Sequence, residues 1–418
     1  MAVASDKAGV KSVGRLAESL GVKECLQWFT REKQWINEQH LRLCRIPAPT
    51  FLEQQRAEWM AEQLCALGCT VQIDIAGNVI ARPEGYGEGP LVGLTAHLDT
   101  VLAPRNPEEI RVEADGRFFG PGVADNGSGL AALLAVAGTL KNSAKIDGLR
   151  SGLVLVANVG EEGEGNLSGM RFLCHQSPLA RDLRAFVVLD GPAMDHITCE
   201  ALECRRFEIT FHGPGGHSWS DYGVGNPVHA LSRTVAIFCE NLPNGGSGAG
   251  PRSTFNFGVI EGGASINSIP TMARAKLDIR SEKSQRMDEL VSKLTAAVEQ
   301  ATEAENERAT SGKVTSRIRE IGARPGGRLP EDASILGYIR AVDSHLGIRA
   351  RPDCASTDAN IPLSMRLPAI SIGAGGRGGG AHTTSEWFHP EGRDLGLKRI
   401  LLTLLLLMRD HELAETGG

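Results

Sequence analysis

Hydrophobic positions fall in two rhythms along this chain. Between about Glu24 and Leu67 apolar residues recur at helical spacing, broken at 46–50 (IPAPT), where Pro47 and Pro49 disfavour a continuing helix. The rhythm then shortens. TVQIDIAGNVIARPEG alternates around Gly77-Asn78, LVGLTAHLD reads as a buried strand, and GSGLAALLAVAGTLKNSA as an apolar helix. LVLVANVG and AFVVLDG are further strands, separated by a helical stretch around LSGMRFLCHQ. Strands alternating with helices predict an α/β sheet covered on both faces.

At about Leu202 the texture changes. CRRFEITFHG predicts a strand, NPVHALSRTVAIFCENL a helix, STFNFGVIEGG and ARAKLDIRS two strands, Ser284 to about Glu307 a long polar helix, and KVTSRIREIG a last strand. That βαββαβ order is a ferredoxin-like unit. ARPGGRLP then returns the chain to helix ILGYIRAVDSHLG and strand LPAISIGAG. The expected architecture is α/β: a doubly wound domain with a central mixed sheet, made of residues 1–202 and 323–418, and an inserted ferredoxin-like α+β domain over 203–322.

Five short segments place a metal-ligand residue type just past a strand-like run: His97, Asp125, the pair Glu161-Glu162, Asp190 and His382. In open α/β sheets, residues at the carboxyl ends of strands converge in space even when distant in sequence. Two imidazoles with several carboxylates, and no cysteine among them, suit borderline divalent metals such as zinc. One ion would be over-supplied. Two ions sharing a bridging carboxylate would use the whole set, and paired metals activate water against an amide or ester. The expectation is a dinuclear metallohydrolase.

Composition narrows the partners. The 418 residues suffice for two domains, with 41% hydrophobic and 22% charged residues. A net charge of −6 without a long basic run argues against nucleic acid or an anionic membrane surface. The longest apolar run, Ile400 to Met408, is too short to span a bilayer and reads as a buried helix. The start of the chain lacks the apolar core of a signal peptide, and nine cysteines without C-x-x-C spacing read as free thiols, so a cytoplasmic location is expected. Cys65 and Cys69, one helical turn apart, read as small core residues.

Together HLDT, GVADNGSG, GEEGEG, VVLDG, the inserted GPGGHS and the final GGAHTTSEW resemble, in order and over nearly the whole chain, the aminoacylase and tripeptide aminopeptidase family of dinuclear zinc hydrolases. GGHSWSDYG, STDANIPL and AHTTSEWF are most similar to its tripeptide aminopeptidase-like members. The resemblance implies that His97 and Asp190 bind one metal, Glu162 and His382 the other, and that Asp125 bridges them. It implies that Asp99 accepts the proton on the other ring nitrogen of His97 and so fixes its tautomer. Glu161, adjacent to a ligand but not one itself, is the expected general base. A cis peptide at Asp125-Asn126 is also implied. From the inserted domain, His217 would stabilise the oxyanion, often in the partner subunit's site, while Asn267 and Arg280 would hold substrate. The inserted domain would then be lid and dimerisation domain of a homodimer.

The expected activity is zinc-dependent hydrolysis of a peptide or amide bond by a metal-bridging water, with cobalt or manganese as alternative ions. A di- or tripeptide aminopeptidase is the first reading, an N-acyl-amino-acid deacylase or carboxypeptidase-type amidohydrolase the second, and a non-catalytic metal-binding scaffold the rival from another class. Ser128 lacks the strand-turn setting of a G-x-S-x-G nucleophile, and GAGGRGGGAH follows no nucleotide-binding pattern, so its glycines are expected to let the backbone present His382. His196, His212 and His389 read as structural.

Overall fold

A computed structural model describes residues 2–240, 252–411 and 413. The chain starts with α1 (Ala2–Glu18), α2 (Leu20–Arg31), α3 (Lys33–Cys44) and α4 (Gln54–Ala66). Next come β1 (Cys69–Ile73), β2 (Val79–Pro83), β3 (Leu91–His97), β4 (Arg111–Val112), β5 (Phe118–Phe119) and α5 (Gly127–Lys141). β6 (Gly152–Asn158), α6 (Ser168–His175), β7 (Leu183–Leu189) and β8 (His196–Ala201) complete the first part. The middle holds β9 (Glu203–His212), β10 (Gly216–His217), α7 (Pro227–Glu240), β11 (Ser253–Gly262), β12 (Ser268–Ile269), β13 (Met272–Ser281), α8 (Ser284–Arg308) and β14 (Thr315–Arg324). The chain closes with β15 (Gly327–Arg328), α9 (Ser334–Leu346), β16 (Arg351–Ala355), α10 (Asn360–Ser364), β17 (Ala369–Ile372), β18 (Arg377–Gly379), β19 (Trp387–His389) and α11 (Arg393–Met408).

Two compact units result, Met1–Ala201 with Gly327–Gly418, and Leu202–Gly326. In the first, a mixed sheet runs β1-β2-β6-β3-β7-β17-β8-β15, with β16 beside β8. Its centre, β6-β3-β7-β17, is parallel, and β3 and β6 are buried at every position, as continuous apolar runs covered on both faces must be. Register puts His97 opposite Asn158, Ala96 opposite Leu189, and Leu189 opposite Ile372. The carboxyl ends of all four strands therefore share one edge of the sheet. α5 and α11 pack on β3. Every residue of α5 from Gly127 to Leu140 is buried, matching a sequence that is apolar apart from Ser128 and Thr139, whose hydroxyls donate to the Ala124 and Cys25 carbonyls.

The second unit is an antiparallel sheet in the order β11-β13-β9-β14. Burial alternates along β9 and β13, and their inward residues Phe207, Ile209, Phe211, Leu277 and Ile279 form one core with Leu290 and Leu294 of α8 and Phe238 of α7. This is the ferredoxin-like arrangement. Asn241 and Leu242, the end of the expected helix, lie outside the described residues.

Some elements were not legible in the pattern. α1 buries Val13 and Leu16 although its sequence is polar overall, and β4, β5, β18 and β19 form a small separate sheet from strands of two or three residues. All nine cysteines are free.

Candidate metal centre

β3 ends at His97, whose side chain is 2% exposed. Asp125 stands in the loop before α5, where the Asp125-Asn126 peptide is cis and the Asn126 side chain caps the helix by accepting from the Gly129 amide. Glu161 and Glu162 follow β6, between Gly160 and Gly163, both at positive φ. Those two glycines let the backbone reverse on either side of the pair. His382 itself has φ 64, and Gly380 just before it has φ 70, with no room for a Cβ beside the Ser385 carbonyl at 2.8 Å. Glycines here do turn the backbone into the position that presents the histidine.

These elements bring four residues together. One carboxylate oxygen of Asp125 lies 3.1 Å from His97 Nε2, and the other lies 3.1 Å from His382 Nε2. His382 Nε2 is also 2.9 Å from Glu162 Oε1. Ligand atoms of His97, Asp125 and Glu162 all fall within 4.8 Å of one another. A carboxylate with each oxygen turned to a different imidazole is placed to bridge two positions. Asp190 sits at the end of β7, its amide donating to the Ile372 carbonyl at 3.1 Å.

Electrostatics show what the cluster is short of. Burial drives the Asp190 carboxyl well above the usual range, and the negative charges of Asp125, Glu162 and Asp358 push it the same way. Burial works against Asp125 too, but hydrogen bonds from His382 and His97 hold its carboxyl below the usual range. Those bonds raise His382 to about 10, through Asp125 first and Glu162 second, and His97 is raised against the effect of its own burial. Protons on the imidazoles thus supply the positive charge that buried carboxylates require. Oxygen and imidazole donors without thiolate suit a borderline divalent ion in that role, so the residues fit the metals the strand-end pattern suggested.

Asp99 is fully buried and organises the next layer. Its carboxylate accepts from the amides of Glu161 (3.0 Å) and Glu162 (2.9 Å) and from the Thr50 hydroxyl (2.9 Å). His97 Nδ1 lies closer to the Asp99 main-chain oxygen, 2.9 Å, than to its carboxylate, 3.6 Å. The sequence suggested the carboxylate as the imidazole's acceptor; in the structure the carbonyl is nearer and the carboxylate orients both glutamates. Glu161 is 4% exposed.

Within the inserted unit, His217 and Asn267 are neighbours: His217 pairs with Ser268, and the Ser218 amide donates to the Asn267 carbonyl at 3.0 Å. His217 Nδ1 accepts from the amides of Trp219 (3.2 Å) and Ser220 (3.3 Å), which places the ring proton on Nε2. That nitrogen is therefore a donor. Arg280 lies elsewhere, with Nε bonded to Asp278 at 2.8 Å and Cys204 opposite it in the sheet. Met272, at the other end of β13, pairs with His212, and Gly213 bonds to Thr271. Eight strand steps, about 27 Å at 3.4 Å each, separate Arg280 from that end.

Several supporting residues escaped the sequence reading. Glu53 accepts from the Gly160 amide at 3.1 Å, and buried Arg56 donates to the carbonyls of Ile46 and Leu98. Glu386 accepts from three amides around Asp125. Its signal was a lone carboxylate inside the apolar stretch SEWF, four residues after His382.

Comparison with known proteins bears on the fold and on the class of enzyme. The model described as "Peptidase family M28" matches residues 78–199, and that described as "Peptidase dimerisation domain" matches 205–306. A succinyl-diaminopimelate desuccinylase of Corynebacterium glutamicum is 29% identical over 343 residues, covering 80% of this chain and 86% of the relative. A putative [LysW]-lysine/[LysW]-ornithine hydrolase of Pyrobaculum aerophilum is 29% identical over 240 residues, 56% of this chain and 63% of the relative. Among solved structures, a tripeptidase of Staphylococcus aureus superposes with a TM-score of 0.71 at 21% identity, covering 90% of this chain and 98% of that one. Aminopeptidase PepT of Bacillus cereus gives 0.68 at 18%, covering 90% and 99%. The fold is shared with these structures.

Proposed function

We propose that this chain, a metal-dependent hydrolase of the peptidase and amidohydrolase kind, cleaves the amide bond of a small peptide at the edge where β3, β6, β7 and β17 end, as a di- or tripeptide aminopeptidase. The observation that carries the reading is Asp125, with one oxygen 3.1 Å from each of two imidazoles. His97 and Asp190 would hold one divalent ion, Glu162 and His382 a second, and Asp125 both. Zinc is the proposed pair, with cobalt or manganese as functional substitutes. When bound, such ions supply Lewis acidity for the scissile carbonyl and for water.

The protein's own groups do the rest. Glu161 takes a proton from water onto its carboxylate and later gives it to the departing amine. Asp99 fixes Glu161 and Glu162 through consecutive amides, so base and ligand keep separate directions. His217 donates from Nε2 to the oxyanion, and Asn267 and Arg280 hold the substrate. A tripeptide spans at most about 11 Å, well short of the distance along β13, so it cannot touch both ends of one inserted sheet. His217 would serve the site of a second chain in a homodimer, as the family resemblance implies.

The desuccinylase similarity favours a second reading, removal of an acyl group from an amino acid by the same residues. Purified protein loaded with zinc, cobalt or manganese is assayed against free tripeptides, their N-blocked forms, and N-acetyl and N-succinyl amino acids. Cleavage of free tripeptides supports the aminopeptidase; cleavage of the blocked and acylated compounds alone replaces it with the deacylase.

A further inference from the structure

The loop of residues 120–126 carries Asp125, and its backbone is held from both sides by groups that are not among the expected ligands. On the amide side stands Glu386, 3% exposed. One of its oxygens accepts from the amides of Ala124 (2.7 Å) and Asp125 (2.9 Å), the other from that of Gly122 (2.8 Å). Its own carbonyl accepts from the Gly120 amide at 3.1 Å. On the carbonyl side, His40 Nε2 lies 2.7 Å from the Val123 oxygen, and Cys44 donates to the Gly122 oxygen at 3.5 Å. Arg393 contacts His40 Nδ1 at 2.5 Å. A guanidinium only donates, so Nδ1 accepts and Nε2 carries the proton given to Val123.

We propose that Glu386 is a positioning residue for the metal pair: by accepting three amide hydrogens it fixes the Asp125 carboxylate between His97 and His382 before any metal arrives. The inference rests on Asp125 being the bridging ligand. Hydrogen bonds to a buried carboxylate are charge-assisted and short, and three on one group leave the loop few alternatives. The bridge is the ligand whose displacement disturbs both metal positions, so a clamp on its backbone acts on both. Nothing else binds those three amides among the described contacts. Glutamine at 386 keeps one acceptor oxygen and turns its NH2 against at least one backbone N–H, which alters the clamp with almost no change in volume.

The test is Glu386→Gln, with folding of the metal-free variant checked by circular dichroism. Outer-shell changes of this kind cost about 10- to 100-fold in metal affinity, so half-loading with Zn2+ in a competition titration shifts upward by at least about tenfold. The visible absorption spectrum of the Co2+-loaded variant changes as well, because the ligand field at both positions changes. A variant that melts earlier but loads Zn2+ at the wild-type midpoint, with the wild-type Co2+ spectrum, would overturn the proposal. Amide hydrogen exchange of the wild-type protein decides the matter even if the variant fails to fold. Protection of the amides of 122, 124 and 125 in metal-free protein supports the clamp; protection gained only on loading overturns it. Asp125→Ala separates this outcome from the premise, since wild-type metal loading in that variant would remove the bridge itself rather than the role of Glu386.

Discussion

Two inactive variants should make an active dimer. Glu161→Gln removes the proposed base, and His217→Ala removes the oxyanion donor proposed from the inserted unit. Loss of one oxyanion donor costs about 100- to 1,000-fold, so His217→Ala alone retains about 1% of activity at most. Co-expression with different affinity tags, followed by tandem purification, isolates dimers holding one chain of each kind. If His217 acts across the dimer, the chain with intact Glu161 receives an intact His217 from the other, and one of two sites works. The mixed dimer then shows about half the wild-type turnover, at least about fifty times either parent. If His217 acts within its own chain, neither site is complete and activity stays at the level of the parents. That second result, with metal content normal, would refute the proposed delivery of His217 from a second chain. Turnover of whichever amide substrate the panel identifies is the readout.

Chelation should abolish activity, and added Zn2+, Co2+ or Mn2+ should restore it; activity unaffected by exhaustive chelation would contradict the assignment of His97, Asp125, Glu162, Asp190 and His382. Gly127→Ala places a Cβ 2.4 Å from Cys44 Sγ and 2.6 Å from the Gly122 carbonyl, so denaturant unfolding should show a loss of about 1–3 kcal/mol. Asp278 accepts from Arg280 at 2.8 Å and Arg206 at 3.0 Å. Burial raises its carboxyl, and those partners bring it below the ordinary 3.8. A lowered carboxyl stabilises fully above its unfolded value and loses that contribution as pH falls through the native one. Asp278→Asn should therefore cost about 1 kcal/mol at pH 7 and progressively less as pH falls below the ordinary carboxylate range, read from unfolding curves across that range.

The parts of this molecule that could be read from sequence are those where one physical cause dominates. LVGLTAH and LVLVAN read as strands because they are buried on both faces, and the first of them carries His97 to the edge of the sheet where the other ligand types gather. Glu161 and Glu162 are told apart by the family resemblance and not by their own pattern, because what fixes them is Asp99, 62 and 63 residues away, through their amides. Glu386 illustrates the same limit over 261 residues: a side chain that binds backbone leaves no mark on the residues it binds. Strands as short as β4, β5 and β18 carry too few positions for any period to show, and β8 and β16 mix polar and apolar residues at the sheet margin.

The burial of α5 on every side sets a kinetic asymmetry at the site. His97 ends the strand on which that helix packs and is 2% exposed, whereas His382 rides on a glycine-rich loop with half of its side chain in solvent. Local opening is cheap where few buried contacts are broken and approaches the cost of global unfolding where many are. On the pairing proposed above, an ion between Glu162 and His382 would exchange with solution through small fluctuations, while one between His97 and Asp190 would turn over slowly. Replacement of metal in this protein would then run in two phases, and a singly loaded form would persist long enough to be caught.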